Sequence, residues 1–402
     1  MKKTLRDLTN LAGKKVLIRV DFNVPLDKKG NITNDRRIRA AVPTIQYVLE
    51  AGAGAIVMSH LGRPTGDLTK DYVITMNAVA GRLKELLQEA TPAFQVPLSK
   101  TNEVIGSSVE FAVAVLKPGN VVLLENLRFH PGEQKGDPAF AQQIAALGDV
   151  YVNDAFGTCH RTDASMYAVP AAMKGKPRVV GFLVAKELEV LGTLLSKPRR
   201  PLIGVMGGAK VSDKMGFIKK MLGLVDQLLI GGAMSYTFLL AQGRSIGASK
   251  AEKDKLDLAK ELLALGGKKI VLPMDHLIAD KPEATAKTQV VEGDIPEGWF
   301  GLDIGPKTIA QYTAAIAQAG TVVWNGPVGK FEDEPFSRGT RAIAEAMANS
   351  QATTIVGGGE TAEAVEAFGL DTKMKHVSTG GGAFLEYVEG TPFKALAEID
   401  DK

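Results

Sequence analysis

The sequence predicts an α/β protein built as two doubly wound lobes, each a parallel β-sheet covered by helices, joined by an inter-lobe helix with a hinge. Three observations carry that reading. The chain has 402 residues, more than one hydrophobic core usually encloses, since domains of roughly 100–200 residues are the norm. Short unbroken apolar runs recur along it, each ending in a polar or glycine-rich turn and most followed by a stretch with helical periodicity, which is the rhythm of a βα repeat. Near the middle, residues 186–196 (KELEVLGTLLS) set leucines and a valine at helical spacing before Lys197-Pro198-Arg199-Arg200-Pro201 interrupts them, so a helix and then a break join the halves.

In the first half the runs at 16–20, 55–58, 121–124 and 150–152 are expected strands, with helical stretches at 83–87 and 140–147 among them. In the second half the strands are expected at 202–206, 227–230, 269–272, 321–324, 353–356 and 376–378. Val/Ile/Leu runs without alternation suit strands covered on both faces, hence parallel sheets between helices. The expected division assigns 1–182 to the first lobe, with 391–402 packing back on it, and 183–390 to the second. Bending is expected near 182–187 and 390–392.

Composition excludes several classes. The 45% apolar and 23% charged content with 43 glycines is that of a globular protein. A net charge of +3, without a basic block or basic-aromatic interleaving, gives no surface for a nucleic acid. No apolar run approaches the ~18 residues that span a bilayer, so no membrane partner is expected and the protein should be cytoplasmic. The single cysteine, Cys159, leaves no internal disulfide or multi-cysteine metal site and fits a reducing compartment.

Open α/β sheets bind ligands beyond the carboxyl ends of their strands, and the two halves differ there. After the first-half strands come Arg19-Val20-Asp21-Phe22-Asn23, Ser59-His60-Leu61-Gly62-Arg63, Glu125-Asn126-Leu127-Arg128 and Asn153 followed by Cys159-His160-Arg161, with Arg37 opening a helix after the first strand. In a parallel sheet Arg37, His60, Arg63, Arg128 and Arg161 converge on one edge, where guanidinium forks hold phosphate and carboxylate bidentately. That is a site for a small polyanion, with Asp21 and Asn23 able to orient a hydroxyl. The second half instead carries Gly207-Gly208-Ala209-Lys210 with Lys214, Gly231-Gly232, Asn325-Gly326, Gly357-Gly358-Gly359-Glu360-Thr361 and Gly380-Gly381-Gly382. Such turns let amides close on phosphate oxygens at helix N-termini. Lys210 and Lys214, four apart at an expected helix start, are placed to face one phosphate chain. A nucleotide is the ligand this pattern suits.

Other readings stay open on the residues alone. No GxxxxGK[ST] occurs, which argues against a P-loop NTPase. Gly357-x-Gly359-x-x-Ala362, with Glu386 further on, fits the loose dinucleotide fingerprint of an NAD-dependent oxidoreductase. A non-catalytic anion-binding protein would keep the arginines but not the lysine turn. Cys159 beside His160 fits a thiolate nucleophile, although a lone cysteine is more often a packed residue. His130, His276 and His376 are expected to make structural hydrogen bonds.

RVDFNVP at 19–25, SHLGRP at 59–64 and LLENLRFHPGE at 123–133 resemble the phosphoglycerate kinase family. NDAFGTCHR at 153–161, GGAKVSDK at 207–214, DIGPKT at 303–308, WNGPVGKFE at 324–332 and HVSTGGGAFLEYVEG at 376–390 continue the likeness in order. The resemblance implies a phosphotransferase with a carboxyl acceptor, moving a phosphoryl group between 1,3-bisphosphoglycerate and ADP to give 3-phosphoglycerate and ATP in glycolysis, by direct in-line transfer with hinge closure, as a monomer and with Mg²⁺ carried as Mg-ATP or Mg-ADP. It assigns Asp21, Asn23, Arg37, His60, Arg63, Arg128 and Arg161 to the phosphoglycerate, and Arg37, Lys210, Gly381 and Gly382 to the transferred group. Lys210, Lys214, Gly231, Gly232, Gly301, Leu302, Asn325, Glu332, Gly357, Gly358, Gly359, Glu360 and Thr361 fall to the nucleotide. Two departures stand out: Glu360 occupies the metal-facing position where the family usually has aspartate, and Thr162-Asp163 replaces a frequent second histidine.

Overall fold

Residues 1–92 and 95–402 are described by the computed structural model of the chain. The continuous apolar runs form two six-stranded parallel sheets. The first contains β1 (Lys15–Val20), β2 (Gly54–Met58), β3 (Leu98–Lys100), β4 (Val121–Leu123), β5 (Val150–Asp154) and β6 (Arg178–Val180) in the order β3-β4-β2-β1-β5-β6. The second unites β7 (Leu202–Met206), β8 (Gln227–Ile230), β9 (Ile270–Val271), β13 (Thr321–Asn325), β14 (Thr353–Gly357) and β15 (His376–Val377) in the order β15-β14-β13-β7-β8-β9. Helices return the chain between strands, so β2, β5, β7 and β13 are buried along their whole length.

Strand order in each sheet reverses beside the first strand. In the first sheet β1 pairs with β2 on one side and β5 on the other; in the second, β7 pairs with β8 and β13. The loops leaving these neighbours part to opposite faces and open a crevice, the topological switch point where such sheets take ligands.

The runs expected at 202–206 and 227–230 match β7 and β8, and the others agree to within two residues at either end. Missed from the sequence are β3 and β6, three-residue edge strands too short to show a pattern. A third sheet was also missed: β10 (Asp275–Ala279) pairs antiparallel with β11 (Thr288–Glu292) and β12 (Phe300–Ile304). Its outer strand β11 is mostly exposed and lacks the apolar run that marks a doubly covered strand. A small core of Tyr236, Leu239, Ile246, Ile278 and Ile295 supports it.

The chain divides into two compact units, Met1–Glu189 with Pro392–Lys402, and Val190–Thr391. The division falls inside the helix Phe182–Ser196, not at its start at 182/183 as the sequence pattern suggests. The reason is local. Thr44 Oγ1 accepts from Phe182 N at 2.9 Å, and Asp154 Oδ1 accepts from Leu183 N at 2.9 Å and Val184 N at 3.3 Å. A carboxylate at orphan N-terminal amides is a cap, and it fastens the first turn to the end of β5. The C-terminal segment is tied to the same unit by Asp400, whose carboxylate accepts from Arg178 N, Nε and Nη2.

Gly181 and Gly192 make opposite predictions for this helix. A Cβ at Gly181 would lie 2.2 Å from Asp154 Oδ1, whereas one at Gly192 meets nothing within 4 Å. Gly181→Ala is therefore expected to destabilise by about 1–3 kcal/mol, and Gly192→Ala to stabilise by about 0.5–1 kcal/mol. Thermal unfolding checks both: the midpoint falls for the first and rises for the second.

Candidate functional site

At the carboxyl edge of the first sheet the loops after β1, β2, β4 and β5 are knotted by their side chains. Arg37 Nη1 donates to both oxygens of Asp21, at 3.1 and 3.0 Å, and to Asn23 O at 3.1 Å. Asn23 Oδ1 in turn accepts from Gly62 N at 2.8 Å, and Gly62 O accepts from Arg128 Nη1 at 2.6 Å. Asp21, Asn23, Arg37 and Arg128 are thus joined in one network, with Arg63 exposed on the turn after Gly62. Burial favours the neutral acid at Asp21, but Arg37, His60 and Arg19 outweigh it and hold the carboxyl below its ordinary range.

Beneath this network lies Arg19, fully buried and absent from the residues the sequence pattern assigns to a ligand. Its Nε donates to Ser165 Oγ at 2.7 Å, its Nη1 to Val20 O, and its Nη2 meets His60 Nδ1 at 3.2 Å. Ser165 Oγ passes a hydrogen bond on to Glu133 Oε1 at 2.5 Å, while Ser165 N donates to Glu133 Oε2 at 2.9 Å. A guanidinium only donates, so Nδ1 of His60 accepts and its proton sits on Nε2. Burial pushes His60 down to about 3, opposed by Asp21 and reinforced by Arg19, Arg128 and Arg161. His60 is therefore a neutral donor at physiological pH and adds no charge of its own.

The Nε–H groups of Arg128 and Arg161 are buried with no hydrogen-bond partner. Buried donors without partners are costly, and two guanidinium donors at a sheet's carboxyl edge suit a phosphate or carboxylate. Burial, and then the charge of Arg161, draw Arg128 below the ordinary guanidinium range, opposed by the charge of the buried Asp163. The replacement at 163 thus offsets part of the positive potential in this cluster.

In the second unit the glycines do a different job from the one their sequence suggests. The amides of Gly207, Gly208, Gly231 and Gly232 donate to the carbonyls of Asn325, Pro327, Met206 and Val328 at 2.8–3.0 Å. They are spent on holding the loops after β7, β8 and β13 together and are not phosphate donors. A Cβ at Gly207 would lie 2.0 Å from Pro327 O, and one at Gly232 2.7 Å from Gly208 N, which is why side chains are excluded there. Thr361 is fully buried and its Oγ1 accepts from Gly326 N at 2.6 Å, so its hydroxyl oxygen supports the turn. The helices Gly359–Ala367 and Gly382–Glu389 offer first-turn amides that an anion can use, except Ala383 N, which donates to Gly380 O at 3.0 Å. These start beside Gly358 and at Gly381-Gly382. Asn325 is buried next to Gly358, its Nδ2 without a partner, and Gly357 ends β14.

A cavity of about 460 Å³ opens beside these loops, lined among others by Gly232, Tyr236, Gly301, Leu302, Glu332 and Glu360. Its size and mixed lining suit a small organic ligand. Lys210 and Lys214 do not share a helix face: Lys210 is exposed in the loop, Lys214 ends the tight turn Ser212–Lys214, and the α-helix begins only at Met215. Lys214 Nζ donates to Gly207 O at 2.8 Å. Burial lowers its amine to about 8, against the opposing charges of Glu360 and Asp213, which leaves it a cation near neutral pH.

Among the described residues no group of three or more His, Cys, Asp and Glu could hold a metal ion. Glu360, exposed in the first turn of Gly359–Ala367 and lining the cavity, is a lone hard carboxylate. That fits Mg²⁺ arriving with a polyphosphate, since this ion is usually bound through one or two carboxylates plus phosphates and water. Of the other histidines, His130 Nδ1 accepts from Gly132 N at 3.1 Å and stacks on Phe140. His276 departs from expectation, with both ring nitrogens buried and unpartnered.

A family model described as phosphoglycerate kinase matches residues 5–391. The chain is 53% identical to the phosphoglycerate kinase of Chloroflexus aurantiacus, over 100% of this chain and 99% of that one. It is 50% identical to that of Rhodopirellula baltica, with the same coverage. Among solved structures, that of phosphoglycerate kinase from Coxiella burnetii superposes with a TM-score of 0.85 at 41% identity, covering 99% of this chain and 98% of the other. That of Pyrococcus horikoshii gives 0.84 at 30% identity, with the same coverage.

Cys159 lies apart from this chemistry. It is fully buried, its Sγ is 3.5 Å from Ala155 O, and burial pushes the thiol up to about 12. A thiol, not a thiolate, is present at neutral pH, and only the thiolate is nucleophilic. Native protein at pH 8 is expected to resist iodoacetamide for hours and to alkylate within minutes in denaturant. Rapid labelling of the native thiol, followed by mass spectrometry, would restore the nucleophile reading.

Proposed function

The chain belongs to the phosphoglycerate kinase family, and on that premise we propose that its first unit binds 3-phosphoglycerate or 1,3-bisphosphoglycerate and its second unit binds ATP or ADP. The reaction is reversible phosphoryl transfer between 1,3-bisphosphoglycerate and ADP, giving 3-phosphoglycerate and ATP in glycolysis, with a carboxyl group as acceptor. The observation that carries the division of labour is the contrast between the two carboxyl edges. One gathers guanidinium groups with buried unpartnered donors; the other surrounds a cavity with glycine turns, helix starts and a lysine loop.

On the first unit, Arg63, Arg128 and Arg161 hold the phosphate of the substrate, His60 donates from Nε2, and Asp21 with Asn23 orients its hydroxyl. Arg37, already steered by Asp21, supplies positive potential to the reacting carboxyl. On the second, Gly301 and Leu302 wall the base, Glu332 meets the ribose hydroxyls, and Lys214 with Asn325 lies along the phosphates. Lys210 and the first-turn amides at Gly381 and Gly382 stabilise charge on the transferred phosphoryl group. In the ATP-consuming direction, the carboxylate oxygen bonds to the γ-phosphorus as its bond to the β-phosphate oxygen breaks and ADP leaves. No protein group is phosphorylated. Mg²⁺ bound with the nucleotide would be held by Glu360 and would neutralise phosphate charge.

No described helix is long and apolar enough to cross a membrane, and the lone buried cysteine suits a reducing compartment; we place the protein in the cytoplasm. Each ligand finds its groups within one chain, so a monomer suffices.

Steady-state kinetics test the assignment. Arg161→Ala is expected to raise the KM for 3-phosphoglycerate by roughly tenfold or more while that for ATP stays within about twofold. Lys210→Ala is expected to cut kcat by about 10²-fold with little change in 3-phosphoglycerate affinity. Weakened ATP binding in Arg161→Ala, or a pure KM effect in Lys210→Ala, would overturn these roles.

A further inference from the structure

Glu252 touches none of the groups assigned to a ligand, yet it holds the loop that carries both lysines. Its Oε2 accepts from Val211 N at 2.6 Å and Ser212 N at 3.1 Å, and its Oε1 accepts from Ser212 Oγ at 2.5 Å. Its own amide donates to Thr237 Oγ1 at 3.0 Å. Thr237 is fully buried on the helix Met234–Ala241, one residue from the cavity-lining Tyr236, and Ala248 and Lys250 just before Glu252 line the same cavity. One carboxylate therefore joins the lysine loop to the wall of the nucleotide cavity.

Lys210 is exposed and Lys214 reaches its contact with Gly207 O from the end of a single turn. Two amides and a hydroxyl converging on one carboxylate form a charge-assisted cluster, and they sit between the two lysines. Burial favours the neutral acid at Glu252, but the Ser212 hydroxyl and the Ser212 and Val211 amides outweigh it and keep it ionised at neutral pH. Removing the carboxylate strands Val211 N and Ser212 N, and a loop with stranded amides rearranges toward water.

We propose that Glu252 is a positioning residue for phosphoryl transfer, fixing the loop from Lys210 to Lys214 against the wall of the nucleotide cavity so that both amines stand where the transferred phosphates lie. The inference rests on the nucleotide reading of this unit. It makes Glu252 act through the lysines without touching a ligand, and it links filling of the cavity to lysine placement. Small errors in placing a charged group cost rate before they cost binding of a remote substrate.

The test uses the full chain with Glu252→Ala, Glu252→Gln and Glu252→Asp, and two readouts. In kinetics, Glu252→Ala is expected to lower kcat by roughly tenfold or more with the KM for 3-phosphoglycerate unchanged. Glu252→Gln, which keeps one acceptor oxygen, is expected to recover part of the loss. In NMR of ¹³C-methylated lysines, with the Lys214 signal assigned through Lys214→Arg, that amine is expected to titrate higher in Glu252→Ala, as release from its buried contact returns it toward ordinary lysine. Folded variants with wild-type kcat and an unmoved Lys214 titration would overturn the proposal, as would a loss confined to thermal stability. If Glu252→Ala fails to fold, Glu252→Gln and Glu252→Asp carry the same comparison. Should the wild type transfer no phosphoryl group, the functional reading fails, while the Lys214 shift still decides whether Glu252 holds the loop.

Discussion

The guanidinium of Arg19 is buried at the end of a central strand, beneath a surface that already gathers Arg37, Arg63, Arg128 and Arg161. A buried charge costs several kcal/mol unless it is paired and fully hydrogen-bonded, and like charges nearby increase that cost. The first unit meets the constraint through Ser165, which receives Arg19 Nε and donates to the buried Glu133. It also keeps His60 neutral, so the nearest titratable ring adds a directed hydrogen bond without another positive charge. With Arg19 so satisfied, the outer arginines can present free donors to a polyanion. The loops after β1, β2, β4 and β5 are consequently held by hydrogen bonds that set guanidinium groups around the carboxyl groups of Asp21 and Glu133.

The second unit solves the same topological problem with backbone in place of charge. Its carboxyl edge brings the loops after β7, β8 and β13 so close that carbonyls and amides of neighbouring turns bond directly. Glycine is required there by contact distance, and the amides so used are lost to ligands. The helix starts at Gly359 and Gly382 and the lysines on a loop remain, and it is to these that we assign the phosphates. A site built from backbone is rigid but weakly charged, which suits a nucleotide whose own phosphates bring Mg²⁺. A site built from guanidinium forks is strongly charged and suits a small anion that brings no metal.

Much of this was legible in the sequence because parallel strands buried on both faces advertise themselves as unbroken apolar runs. The residues just after those runs land at the carboxyl edge whatever the strand order, which is why the gathering of Arg37, His60, Arg128 and Arg161 there can be read from the sequence. Arg19 carries its own sign, since a charge inside the run at 16–20 is the mark of a buried, hydrogen-bonded group. Glu133 and Glu252 gave no such sign, because a glutamate in a polar stretch looks the same whether it faces water or clamps a distant loop. The glycine turns were misread in mechanism, since close approach of backbones and cradling of phosphate leave the same residue in the sequence. The antiparallel sheet β10, β11 and β12 was invisible because an exposed strand such as β11 carries no apolar signature.

If two chemically distinct edges serve one transfer with no covalent stage on the protein, phosphorus NMR of the purified chain with Mg-ATP, followed before and after addition of 3-phosphoglycerate, will show it. No ADP is expected from ATP alone, and on addition of 3-phosphoglycerate an acyl-phosphate signal is expected to grow in step with ADP, without a phosphoprotein resonance. Steady ATP hydrolysis in the absence of 3-phosphoglycerate, or ADP released without an acyl phosphate when both are present, would contradict it.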